Sequence, residues 1–282
     1  MKKGISVWSF AETDVRKCFE LAKDAGFEGV EVALAEVGDV NLNSTKEDME
    51  ALKSYADEIG IELYSVACGL YWKKNYTSGC EKIRQEAINI TKKQLEIASW
   101  LGCESILVVP GAVGVDFEPD CEVVDYDDAY DRCLDVLKSL APIAEELKVQ
   151  ICIENVWNKF LLSPLEMRDL IDKVDSPYVC SYFDVGNVIY CGYPQQWIKI
   201  LGSRIKKVHF KDYRRDVGSL SGFVDLLAGD VDYKAVKKAL DDIGYTGWVT
   251  AEMLPPYSQY PETIIYNTSN AMNKILGVDL NA

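Results

Sequence analysis

The 282-residue sequence contains a single histidine, His209. That scarcity leaves no imidazoles for a polynuclear zinc site and none for a histidine general base beside a histidine ligand. Nine cysteines are an odd number, scattered without a C-x-x-C pair, which argues against a disulfide framework or a zinc ribbon. Cys18, Cys103, Cys152 and Cys180 fall inside apolar patterns, as small buried thiols do. Positive charge is also short: 30 Lys and Arg stand against 45 Asp and Glu, a formal net charge of −15. Non-specific binding to nucleic acid or an anionic membrane needs the opposite balance, so neither is expected as a partner. Any phosphorylated ligand would have to be held by local lysines, arginines or backbone donors. No apolar run reaches the roughly 18 residues of a membrane span. The start, Met1-Lys-Lys-Gly-Ile5, lacks a signal-peptide core, so a cytoplasmic location is expected. No linker, low-complexity tract or composition break appears, which predicts one domain over 1–282.

What is present is a recurring unit: an amphipathic helix, a stop often marked by glycine, then a short β-rich run. Thr13-Asp14 opens a helix with Val15, Cys18, Phe19, Ala22 and Ala25 at helical spacing; Gly26 ends it and 29–34 reads as a strand. Ser44-Thr-Lys-Glu47 reads as a capping box, Gly60 as the stop and 61–66 as the next strand. A helix over 86–101 precedes a strand over 105–109. Helices over 127–147, 164–174, 194–201 and 232–243 lead into strands over 149–154, 179–184, 205–210 and 248–252. With a first strand over 4–8 and a last helix at about 262–276, the alternation predicts a parallel sheet closed into a (β/α)8 TIM barrel. A doubly wound open sheet would show a glycine-rich phosphate turn after its first strand, and Trp8-Ser-Phe-Ala-Glu-Thr13 has none.

In such a barrel the chemistry sits where strands end. Strands five to eight end in Glu154, Asp184, His209 and Glu252. One acid at a strand end commonly caps a helix or forms an ion pair, and a lone histidine commonly packs in a core. Four such ends on successive strands predict instead a divalent-metal site of three carboxylates and one imidazole. That donor set favours Mn²⁺, Mg²⁺ or Co²⁺ over structural Zn²⁺, with catalytic Zn²⁺ left open. An ion there can bind a ketose through its carbonyl and neighbouring hydroxyl and stabilise an enediolate. Glu154 and Glu252 could then serve the two faces of the substrate as an acid/base pair.

The motifs Ile153-Glu-Asn-Val-Trp-Asn158, Phe183-Asp-Val-Gly-Asn187, Val208-His-Phe-Lys-Asp212 and Val249-Thr-Ala-Glu252 resemble the xylose-isomerase-like sugar isomerase/epimerase barrels. The branch resembled holds L-xylulose-5-phosphate 3-epimerase, hexulose-6-phosphate isomerase homologues and the ketose 3-epimerases. The resemblance spans Gly4 to about Leu276. It implies Glu154, Asp184, His209 and Glu252 as metal ligands, Glu154 and Glu252 as the catalytic pair, and Arg215 as a substrate contact. It also implies a homo-oligomer, dimer or tetramer. Asn187, a candidate substrate contact, stands where the free-sugar 3-epimerases carry a substrate-contacting histidine, and Asp184-x-Gly186-Asn187 resembles the phosphopentulose branch instead. Phe160 lies in the region where the free-sugar enzymes place a further glutamate. Both departures count against tagatose or psicose as substrate. The trinuclear site of endonuclease IV, whose fold is similar, needs more histidines than this chain has.

Trp8, Trp72 and Trp157 are candidates to line a sugar face, with packing the alternative for each. Glu31 could reach a sugar hydroxyl or form an ion pair inside the barrel. Lys211 and Arg215 are the candidate phosphate contacts, and Asn155 could orient Glu154 or bond a hydroxyl. Asp212 could support a ligand. Gly229-Asp230 resembles a family loop, for which a turn is the simpler explanation. The expected activity is metal-dependent epimerisation or isomerisation of a ketose or ketose phosphate, most simply at C3. A lyase or dehydratase acting through the same enolate, and a non-catalytic sugar-binding barrel, are the alternatives.

Overall fold

Strand-forming runs entered from helices and left through polar loops can pair in parallel only if a helix carries the chain back each time. The computed structural model, which describes residues 1–118, 120–254 and 257–278, shows that arrangement closed on itself. The strands are β1 (Lys2–Ser6), β2 (Gly29–Leu34), β3 (Glu62–Cys68), β4 (Ser105–Val108), β5 (Gln150–Glu154), β6 (Val179–Asp184) and β7 (Ile205–Phe210). After them come β8 (Asp212–Tyr213), β9 (Phe223–Val224) and β10 (Trp248–Ala251). The helices are α1 (Val15–Asp24), α2 (Lys46–Ile59), α3 (Glu81–Leu101), α4 (Tyr126–Leu147), α5 (Pro164–Val174), α6 (Pro194–Leu201), α7 (Tyr233–Asp242) and α8 (Thr263–Leu276). Eight strands close the barrel in the order β1-β10-β7-β6-β5-β4-β3-β2, all parallel. The protein is a (β/α)8 TIM barrel.

Strands buried on both faces read as near-continuous apolar runs, and β6 and β4 are buried at every residue. The helices turn their apolar stripes onto that surface: Cys18, Phe19 and Ala22 from α1, for example, and Met167, Leu170 and Ile171 from α5. Inside the barrel Tyr64 stacks on Trp248, ring centroids 4.0 Å apart.

Local differences from the sequence reading have local causes. The capping box lies one residue later than expected: Thr45 caps α2, exchanging hydrogen bonds with Asp48, while Ser44 serves the preceding turn through Asn41. Helix α3 begins at Glu81 rather than Glu86, because Ser78 and Arg84 organise its entry. Beyond β7 the chain folds back as an antiparallel ribbon of β8 and β9, too short to show a sequence pattern. That ribbon redirects the segment after His209.

Candidate active site

Register sets the site before any side chain is considered. Asp184 on β6 pairs with His209 on β7, and His209 pairs with Thr250 on β10, two residues before Glu252. Glu154 closes β5 beside Tyr182 on β6. Four adjacent strands therefore deliver four functional groups to the C-terminal mouth of the barrel. One ligand atom from each of Glu154, Asp184, His209 and Glu252 lies within 4.8 Å of the other three, and all four residues are buried.

The lone imidazole divides its surroundings. Its Nδ1 faces Glu154 Oε1 at 3.2 Å, Glu252 Oε2 at 2.9 Å and Asp184 Oδ2 at 3.7 Å. Its Nε2 faces Glu31 Oε1 at 2.9 Å. Glu31, fully buried on β2, also accepts a hydrogen bond from the Tyr182 hydroxyl at 2.6 Å. Thr250 Oγ1 lies 3.3 Å from that hydroxyl and 2.8 Å from the Tyr64 hydroxyl. Glu31 thus reaches neither cavity nor solvent; it is the ion-pair partner that holds the ring. Sequence spacing alone gives little sign of this role, since Glu31 lies mid-strand between valines.

Asp184 is aimed by its neighbours. Asn155 brackets its backbone, donating to Asp184 O at 2.8 Å and accepting from Asp184 N at 2.9 Å. The Asn187 backbone N–H donates to Asp184 Oδ1 at 2.8 Å, which leaves Oδ2 turned to the centre. The Asn187 side chain donates to Asn155 O. Asn155 accordingly positions Asp184, not Glu154 as one sequence reading had it. Lys211 approaches from the same side, its ammonium 2.7 Å from Glu252 Oε2 and 3.2 Å from Asp184 Oδ2. Gly186 makes room for it, because a Cβ there would lie 2.5 Å from Lys211 Cβ.

These charges set one another's protonation. Burial pushes the Glu154 carboxyl up to about 7, against the His209 hydrogen bond and Lys211. Burial acts on Glu252 in the same sense, but Lys211 and His209 outweigh it and hold that carboxyl down at about 2. Burial also raises Asp184. His209 and Lys211 are both driven down by burial and further up by the facing carboxylates, so each ends above its ordinary range.

The donor set fits a single divalent ion. Asp184 Oδ2 and Glu252 Oε2 are buried and lie within ion-pair distance of Lys211, yet neither receives a hydrogen bond of good geometry. Buried oxygens without such bonds are costly unless something else completes them. Three carboxylates and one imidazole nitrogen, converging at one point, form a potential site for a divalent metal.

A cavity of about 290 Å³ opens above these groups, lined by Trp8, Trp72, Trp157, Asn187, Lys211, Glu154 and Glu252 among others. Trp157 is fixed by its Nε1 donating to Asn187 O at 2.9 Å and by edge contact with Tyr213. Arg215 does not line this cavity. The β8–β9 ribbon carries it outward, where its Nε donates to Ile189 O and its guanidinium lies over the Tyr193 ring. Asp212 likewise does not support a ligand: it accepts backbone N–H groups of Tyr213, Leu227 and Val231 and so builds the loop. Gly229 belongs to that loop, since a Cβ there would lie 2.2 Å from Asp212 Oδ1. The Arg215 backbone N–H donates to Asp230.

A parallel barrel with an acidic, histidine-centred cluster at its C-terminal mouth defines a class of enzyme. The chain belongs to the xylose isomerase-like TIM barrel family, whose model matches residues 19–268, and is an enzyme of that family. It is similar to a Haemophilus influenzae protein provisionally named as an L-ribulose-5-phosphate 3-epimerase, 26% identical over 86% of this chain and 84% of the relative. It is also similar to the inosose dehydratase of Clostridium beijerinckii, 25% identical over 81% of this chain and 78% of the relative. The fold matches that of the D-psicose 3-epimerase of Clostridium cellulolyticum H10, solved with D-tagatose, at a TM-score of 0.81 and 20% identity over 99% of both chains. Among the described residues no helix is long and apolar enough to cross a membrane.

Proposed function

We propose that this enzyme is a divalent-metal-dependent sugar epimerase or isomerase, and that its reaction is epimerisation of a ketose at C3. The observation that supports it most is the convergence of Glu154 and Glu252 on one cavity from the two outer strands of the set β5-β6-β7-β10. Glu154, Asp184, His209 and Glu252 would hold the ion, with Mn²⁺ preferred to Mg²⁺, Co²⁺ or Zn²⁺. When bound, such an ion polarises the sugar carbonyl and adjacent hydroxyl and offsets the negative charge that grows as a neighbouring C–H breaks. One glutamate takes the C3 proton and the other returns a proton to the opposite face. Trp8 and Trp157 lay apolar faces against the sugar and keep water from the reacting carbon. Asn187 fixes Asp184 and Trp157 together.

Lys211 is the sole cation among the described residues lining this cavity, and it is already held by Asp184 and Glu252. With the ion in place Lys211 is released from those carboxylates and is the cation that a phosphate on the sugar would meet, while Arg215 faces away. Turnover of a ketose in D₂O tests the reaction: deuterium enters C3 of substrate and product if it is correct, and epimer formed with no deuterium at C3 would contradict it.

A dehydratase reading draws on the inosose dehydratase relative. It uses the same proton abstraction but expels a β-hydroxyl, and mass loss of one water in the product would establish it instead.

A further inference from the structure

The N-terminal end of the barrel, opposite the acidic mouth, holds two free cysteines side by side. Cys152 on β5 and Cys180 on β6 are register partners in neighbouring parallel strands. Side chains two residues apart share a face of a strand. Cys152 therefore faces the same way as Glu154, and Cys180 the same way as Tyr182 and Asp184, so both thiols point into the barrel. Ser181, on the opposite face, meets Met167 of α5 instead. We infer that Cys152 and Cys180 form a redox modification site, a dithiol that a hydroperoxide closes to a disulfide and a small-molecule thiol reopens.

Geometry carries the pairing. In-register neighbours in a sheet stand ~4.8 Å apart, inside the Cα separation of roughly 4.4–6.8 Å that a disulfide spans. Access separates the two thiols. Cys152 is fully buried, whereas Cys180 lines a hollow of about 520 Å³ at this end of the barrel, with Gln150, Pro177, Ser203, Arg204 and Lys206. Pro177 O accepts from Cys180 Sγ at 3.4 Å and from Gln150 Nε2 at 3.3 Å, which sets the sulfur at the inner wall of that hollow. Hydrogen bonding from Cys152, against burial and with Lys206 and Lys207 nearby, holds the Cys180 thiol below its ordinary range. Burial instead pushes the Cys18 and Cys68 thiols up to about 12, where they are inert.

Cys180 is accordingly the sulfur that reacts first. It attacks the hydroperoxide: an S–O bond forms, the O–O bond breaks, and the departing oxygen takes up a proton. Cys180 is oxidised by two electrons to the sulfenic acid, and the peroxide is reduced by the same two. The Cys152 sulfur then attacks the Cys180 sulfur. The S–S bond forms, the S–O bond breaks, and the oxygen leaves with the Cys152 proton as water.

Peptide mapping tests the site. The Mn²⁺-loaded enzyme is treated with hydrogen peroxide, quenched with N-ethylmaleimide and digested without reductant. A peptide joining Cys152 to Cys180 is expected, lighter by two hydrogens than its separated halves, and dithiothreitol should return both thiols. Cys152→Ser is expected to leave a sulfenic acid at Cys180 that dimedone captures, and Cys180→Ser to give no adduct at Cys152. The link in the wild type is read even if a variant fails to fold. Oxidation confined to the more accessible Cys80, Cys121 and Cys191 overturns the inference. So does Cys180 carried to the sulfinic acid without a link, or a link that forms only in urea. Dimedone capture at Cys152 in Cys180→Ser, matching that at Cys180 in Cys152→Ser, overturns it as well.

Discussion

The two nitrogens of His209 face two differently built regions. On the Nε2 side, Glu31, Tyr182, Thr250 and Tyr64 form a buried chain in which donors and acceptors meet one another. On the Nδ1 side, Glu154, Asp184 and Glu252 crowd one nitrogen and one lysine, and two of their oxygens lack a well-directed hydrogen bond. The first region is complete as it stands; the second carries more acid than the protein's own cations can satisfy. Side-chain type does not separate them, since each contains carboxylate and the same imidazole. The difference lies in whether the hydrogen bonds close. A closed network orients a ring, and an open one leaves buried oxygens that a bound cation would complete.

Lys211 is the residue that keeps the open side tolerable without an ion, so its removal should have the largest effect. Lys211→Met is expected to destabilise the metal-free enzyme by about 3 kcal/mol in urea unfolding, because buried carboxylates lose their paired charge. Added Mn²⁺ should recover most of that loss. Equal unfolding midpoints for the variant and wild type, both without metal, would place the lysine outside the charge balance.

Disturbing the closed side should act through the ring. Glu31→Gln keeps the volume but no longer demands an N–H at Nε2, so Mn²⁺ affinity is expected to fall about 10- to 100-fold. Because the chain has one histidine, ¹⁵N-histidine spectra report that ring alone. The wild-type metal complex should show one tautomer, protonated at Nε2, and the variant a mixture. An unchanged spectrum and affinity would reduce Glu31 to packing.

The smallest effect expected is that of pH. The folded Glu154 carboxyl, at about 7, lies above its ordinary value near 4.5, so it favours the folded state most below pH 4.5. That contribution is lost as pH rises through about 7, and metal-free stability should decline across this window. Ion binding needs the carboxylate, so Mn²⁺ affinity should rise over the same range, by at most about tenfold per pH unit. Parallel trends in stability and affinity would break the distinction.

The open side was legible in the sequence because each of its residues ends an apolar run, and strand ends in a barrel share one face. The eightfold alternation of helix and strand was legible for the same reason of periodicity. The closed side was not, because Glu31 and Tyr182 sit mid-strand and their contacts cross the barrel interior. Val30 and Glu31 also straddle a register shift against β3, which a count of residues does not reveal. The resemblance implies Arg215 as a substrate contact, and no sequence pattern shows that β8 and β9 turn the chain back and leave its side chain over Tyr193 in this structure. Ser44 and Thr45 are adjacent N-cap formers, serine the slightly better one, and it is the reciprocal bonding of Thr45 with Asp48 that decides for Thr45.

Anomalous diffraction from a crystal soaked in Mn²⁺ tests the central claim most directly. One peak is expected about 2.1 Å from His209 Nδ1 and from an oxygen of each of Glu154, Asp184 and Glu252, with Lys211 displaced from Asp184 Oδ2 and Glu252 Oε2. Asp184→Asn should abolish the peak. No peak among these residues in the wild type, or a peak undiminished in the variant, would contradict the account.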